Sequence, residues 1–210
     1  LRDLGNLKEA EFSYRNAIEI KPDYAEAYSN LGSILRDLGK LKDAESSQQK
    51  AIELNPNSAE AYYNLGNILR DLGNLKEAEF SYRKAIEINP DFANAHFNLG
   101  NILRDLGNLK EAELSYRKAI EIKPDFTDAY LNLGNILRDL GKSKEAELSY
   151  RKVIEINPDY ADAYLNLGNI LRDLGKLQDA ELFQRKAIEL KPDFAMAHFS
   201  LGNILRDLGH

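Results

Sequence analysis

Six prolines punctuate this chain, at Pro22, Pro56, Pro90, Pro124, Pro158 and Pro192, each 34 residues from the last. Two glycine series keep the same interval: Gly32, Gly66, Gly100, Gly134, Gly168 and Gly202, and Gly5, Gly39, Gly73, Gly107, Gly141, Gly175 and Gly209. Together they account for all 13 glycines, so no turn-forming residue falls outside the repeat. A fixed period of about 20 to 50 residues builds stacked units that share their cores with their neighbours, and excludes a closed globule.

One unit, residues 59–92, shows what each copy folds into. Ala61, Tyr62, Leu65, Gly66, Ile68, Leu69 and Leu72 recur at helical spacing and form one apolar stripe. Gly73 supplies the left-handed residue that ends this first helix. A second helix then buries Leu75, Ala78, Tyr82, Ala85 and Ile86, until Pro90 stops it. Asp23, with Glu26 three residues on, has the form of an N-cap and its partner, and Asp91 holds the same place two periods on. The small residues Gly66, Ala78 and Ala85 let the two helices approach closely. Each unit is expected to be a helical hairpin.

These residues resemble the tetratricopeptide repeat, with its 34 residues and its pattern of Leu-Gly, Ala, Ala and Pro. The resemblance covers the whole chain. It implies an all-α fold, a right-handed α-superhelix (solenoid) of antiparallel helix hairpins whose first helices line a concave side. The units expected are 25–58, 59–92, 93–126, 127–160 and 161–194. Residues 1–24 are expected to hold the end of a first helix plus a second helix, and 195–210 a first helix only. The family's Trp in the first helix is replaced by Tyr28, Tyr62, His96, Tyr130, Tyr164 and His198, a change of volume in the core.

Opposite the apolar stripe, Glu60, Asn64, Asn67 and Asp71 share the other face of the first helix. Stacking turns such positions into ladders: Asn30, Asn64, Asn98, Asn132 and Asn166 in one, Asn67, Asn101, Asn135 and Asn169 in another. A side-chain amide offers donors and an acceptor, and so can pair with a peptide N–H and C=O together. The Asn-Leu-Gly-Asn string is similar to the superhelix of O-linked N-acetylglucosamine transferases, and that resemblance maps a grip on the backbone of protein substrates onto the first ladder. The alternative is that these amides only keep the face solvated. Asp71, Asp105 and Asp139 lie in the last turn, where an acid opposes the helix dipole. They either pair with Arg36, Arg70 and Arg104 of neighbouring units or give the groove a negative floor for a basic segment. Ser29, Tyr63, Phe97, Leu131, Leu165 and Phe199 vary on the flank, where selectivity or packing against the next hairpin would explain them.

Other chemistry finds little support. The 28 basic and 34 acidic side chains give a net charge of −6, and phosphate backbones call for the opposite sign, so no nucleic-acid partner is expected. No apolar run reaches the ~18 residues that cross a bilayer, so no membrane partner is expected either. With 0 cysteines there is no thiolate nucleophile or thiolate metal site. No glycine-rich phosphate loop occurs, His96 and His198 take a core position, and His210 is terminal; no catalytic residue, cofactor or metal is assigned. Chaperone-tail binding is set aside because Glu, Asp and Asn occupy the places where a carboxylate clamp needs Lys and Arg. The chain opens on Leu1 with no signal-peptide pattern, which fits a cytoplasmic segment of something longer. The function expected is a scaffold that holds an extended peptide segment in its concave groove through the Asn and Asp ladders, a basic segment where the aspartates are left free to meet it. The alternatives are the substrate-recruiting arm of a larger enzyme such as a glycosyltransferase, and a structural scaffold that stacks head to tail through its half-hairpins.

Overall fold

The computed structural model describes the backbone of residues 2–209 and the side chains of residues 5–209; Asp3 as a side chain and His210 lie outside them. Among the described residues there are twelve helices and no strand. They fall into two compact units, one up to Gly107 and one from Asn108. The first holds α1 (Arg2–Ile20), α2 (Ala25–Asp37), α3 (Leu41–Leu54), α4 (Ala59–Asp71), α5 (Leu75–Ile88) and α6 (Ala93–Asp105). The second holds α7 (Leu109–Ile122), α8 (Thr127–Asp139), α9 (Ser143–Ile156), α10 (Ala161–Asp173), α11 (Leu177–Leu190) and α12 (Ala195–Leu208). Within each unit every helix packs on the next in chain order, with hairpins α2–α3 and α4–α5 in one and α8–α9 and α10–α11 in the other. No described helix is long and apolar enough to cross a membrane.

The turns follow from the punctuating residues. Gly73 has φ 81°, the left-handed conformation that an L side chain resists, and the Asn74 N–H reaches back to the Leu69 carbonyl at 2.9 Å. At the far end of the hairpin Asn89 Oδ1 accepts the Asp91 N–H at 3.2 Å, a local turn that holds the proline linker. The Asp N-cap does not form. The residue before the helix is instead Tyr24, Phe92, Phe126, Tyr160 or Phe194, with no side-chain cap, whereas before α4 Ser58 Oγ does cap, accepting from the Ala61 N–H at 3.1 Å. Burial of the aromatic residue takes precedence over the cap: Phe92 stacks on Tyr63 with ring centroids 4.8 Å apart. A second difference is at Gly5, where α1 runs unbroken from Arg2 to Ile20 and no turn intervenes.

The core is built where the small residues meet a ring. A Cβ on Gly66 would stand 2.6 Å from the Tyr82 ring, and one on Gly134 2.5 Å from that of Tyr150. Tyr82, Tyr150, Ala78, Ala85 and Ala146 are fully buried. Burial pushes the Tyr150 hydroxyl up to about 12, so it stays a neutral donor. Gln48 and Gln184 take the tyrosine's place in α3 and α11, each fully buried with its Oε1 lacking a partner. Successive hairpins are joined by ion pairs, Arg36 with Asp71 at 2.6 Å in the first unit and Lys142 with Glu113 at 2.8 Å in the second.

Candidate functional site

In α4 the stripe of Glu60, Asn64, Asn67 and Asp71 is one helical face, but its members differ in what they offer. Asn67 is buried, and its Oδ1 accepts from the Tyr82 hydroxyl and from Asn98 Nδ2, both at 2.9 Å. Asn135 repeats the arrangement with Tyr150 at 2.9 Å and Asn166 at 3.4 Å, and Asn169 accepts from Gln184 at 3.0 Å. The carbonyl of this second ladder thus closes its own hairpin and ties it to the following one. Asn101 is half-buried, as is Asn132. Asn98 is itself buried and spends its Nδ2 twice, on Asn67 and on the Tyr63 hydroxyl at 3.2 Å.

Asn30 and Asn64 are different. Asn30 is exposed and Asn64 half-buried, and neither amide makes a hydrogen bond among the described residues. The reason for Asn64 is local: the acceptor that Asn67 gives Asn98 is, one unit earlier, Ser33, whose hydroxyl turns back to the Ser29 carbonyl at 3.2 Å. Asn30 lies on the wall of a cavity of about 210 Å³ between α2 and α4. Glu26, Ser29, Asn55, Ser58 and Glu60 share the wall. Ser29 makes this space, because the same position carries Tyr63 in α4 and Leu165 in α10. Its Oγ is held by buried Gln48 Nε2 at 2.9 Å. Glu26 and Glu60 are exposed and form no ion pair among the described residues.

The flank residues mostly pack. Tyr63 contacts the rings of Phe92 and Tyr82 and accepts from Asn98, Leu165 is 4% exposed, and Phe97 is half-buried. The aspartates are paired: Asp71 with Arg36 and, at 3.2 Å, with Arg70; Asp105 with Arg104 at 2.9 Å; Asp139 with Arg138 at 3.2 Å. Each is met by an arginine, which removes most of the negative floor they would otherwise provide. The histidines are not core residues. His96 is half-buried and His198 exposed, each with Nε2 2.9 Å from a proline carbonyl, Pro90 or Pro192, because their position lies at the rim beside the linker. Among the described residues no group of three or more His, Asp or Glu is placed to hold a metal ion.

One surface escaped the sequence reading. Phe12, Phe80, Leu114, Leu148 and Leu182 recur on the second helices and stand 61–67% exposed. Beside them lie two equivalent apolar grooves, about 370 Å³ with Leu65, Leu69 and Phe80 and about 380 Å³ with Leu133, Leu137 and Leu148. The 34-residue recurrence of a large apolar residue on an otherwise charged helix face was the available signal.

Comparison with known proteins places this geometry. The family described as "TPR repeat" matches residues 1–39, 32–69, 100–141 and 134–175, and that described as "Tetratricopeptide repeat" matches 59–92, 81–113 and 161–194. No curated protein sequence matches. Among solved structures, YrrB, a TPR protein with an unusual peptide-binding site, is 29% identical with a TM-score of 0.78, covering 89% of this chain and 96% of YrrB. MamA is 30% identical at a TM-score of 0.70, over 77% of this chain and 94% of its own. PilF of Pseudomonas aeruginosa shares the fold, with a TM-score of 0.82 at 18% identity over 95% of this chain and 90% of its own.

Proposed function

The chain belongs to the tetratricopeptide-repeat family, and from that premise we infer that it is a protein-interaction scaffold which holds an extended, basic peptide along its first helices. Asn30 and Asn64 are the amides available to pair with a peptide backbone. The cavity between α2 and α4 takes a side chain of that peptide, with the carboxylates of Glu26 and Glu60 selecting a lysine or arginine. That cavity is the observation that carries the reading, since it joins an unbonded amide to two unpaired acids. YrrB, whose structure is described as having a peptide-binding site, lends support at the level of the fold. The role is one of binding; no bond is made or broken by the chain itself.

The test is a library of extended peptides, basic, neutral and acidic, titrated by fluorescence anisotropy. Replacing Asn30 and Asn64 together by Ala is expected to weaken the best binders about tenfold, the worth of one or two hydrogen bonds. Glu26→Gln with Glu60→Gln is expected to abolish the preference for basic peptides and flatten its salt dependence. Unchanged affinity for every peptide in both variants refutes the reading.

A further inference from the structure

Building on that reading, we propose that the side chain seated between α2 and α4 is an arginine, in the space that a cluster of aromatic rings fills one hairpin later. In α4–α5 the Tyr63 ring centroid lies 5.9 Å from that of Tyr82 and 4.8 Å from that of Phe92. The positions 34 residues earlier hold Ser29, Gln48 and Ser58, so every ring of the cluster is missing. Ser29 and Ser58 line the cavity of about 210 Å³, and Gln48 Nε2 holds the Ser29 Oγ at 2.9 Å. The tyrosine of the second helix is not the residue that decides. Gln184 replaces it in α11 as Gln48 does in α3, yet there Leu165 and Phe194, at the positions of Ser29 and Ser58, pack in one cluster, 4% and 8% exposed.

What lines the cavity suits a guanidinium. Ala51 and Ala61, each 1% exposed, give an apolar bed for the methylene stem. Glu26 on α2 and Glu60 on α4 bring a carboxylate from either helix. The Ser29 and Ser58 hydroxyl oxygens each accept one N–H, from Gln48 Nε2 and from Ala61 at 3.1 Å, and each keeps a second lone pair. A guanidinium has five N–H donors in one plane, no acceptor and a weak hydration shell, so it meets carboxylates and hydroxyls at once. A lysine ammonium is a compact, strongly hydrated point charge, and leaves much of the vacated ring space empty. The second unit holds the same arrangement filled from within. Tyr160, three periods on from Ser58, donates its hydroxyl to Asp128, the counterpart of Glu26, at 3.5 Å. In the first unit no such ring reaches the acid, and the arginine of the peptide supplies both the plane and the donors.

The test takes the best basic binder from the peptide library and varies one basic position at a time among arginine, lysine, citrulline and alanine, titrated against the full chain. At one position arginine is expected to bind about tenfold more tightly than lysine. Citrulline, which keeps the planar shape and loses the charge, is expected to bind as weakly as alanine. Ser29→Tyr, Gln48→Tyr and Ser58→Phe together rebuild the ring cluster, with Gly32 left bare beneath it as Gly66 is beneath Tyr82. This variant is expected to keep its helical circular dichroism, to melt higher than wild type because the unpartnered Gln48 Oε1 is gone, and to bind the four peptides alike. Ser58→Phe alone, a single change that the other linkers already carry, is expected to reduce the arginine preference in the same direction. Lysine binding as tightly as arginine, or citrulline doing so, overturns the proposal. So does a folded ring-rebuilt variant, or Ser58→Phe, that keeps the full arginine preference. A wild type that binds peptides through Asn64 but is indifferent to every basic position overturns the proposal and leaves the grip on the backbone standing, whereas a wild type that binds no peptide overturns both.

Discussion

Gly66 and Gly134 show how much can depend on a missing side chain. With a ring 2.6 or 2.5 Å from where a Cβ would stand, Ala at either position forces Tyr82 or Tyr150 out of its seat. Each substitution is expected to cost about 1–3 kcal/mol in urea unfolding. Gly202→Ala in this 210-residue chain is expected to gain up to about 1 kcal/mol instead, since no described atom lies within 4 Å of its Cβ position and Ala favours a helix. The same residue type in the same sequence register therefore has opposite consequences. Sequence spacing made the series legible but could not say which members have a ring above them. The same holds for the asparagines. Their ladders are visible as letters, yet that Asn67 is spent on Tyr82 and Asn98, while Asn64 is released by Ser33, depends on hydrogen-bond reach that spacing does not encode.

At the level of the helices, much of what ties one second helix to the next is ionic. Glu113 receives Lys142 and Arg117, and Glu147 receives Lys176 and Arg151, each with a side chain 10% or 13% exposed. Burial raises the pKa of both carboxylates, but the hydrogen bonds from their cations outweigh it and hold them below the ordinary 4.5. A carboxylate depressed in the folded state contributes stability above its unfolded value and loses it as the pH falls through the folded one. The melting temperature is therefore expected to drop as the pH goes below about 4.5, and Glu113→Gln with Glu147→Gln is expected to lower it at neutral pH and to flatten its acid dependence. Calorimetry from neutral to acid pH checks both. Helix positions and their glycine and proline stops were readable from the sequence because those residues act locally. The caps were not, because an aspartate competes there with the burial of an aromatic neighbour such as Phe92, a tertiary effect.

For the molecule as a whole, the all-helical tandem architecture was written in the period, since a hairpin that cannot bury its own face has to stack. What the sides of the stack offer was harder to read, because one helix turns some polar residues inward and leaves some apolar ones outside. Phe80 in one unit and Leu114, Leu148 and Leu182 in the other remain in water with 61–67% of their surface uncovered. Polarity-sensitive dyes such as anilinonaphthalene sulfonate ordinarily brighten when a protein loosens and bares its interior. Here the native chain is expected to brighten the dye already and to dim it on complete unfolding, once Leu65 and Leu69 no longer floor the groove beside Phe80. A fluorescence screen that equates brightness with damage would then rank the intact protein as the spoiled one.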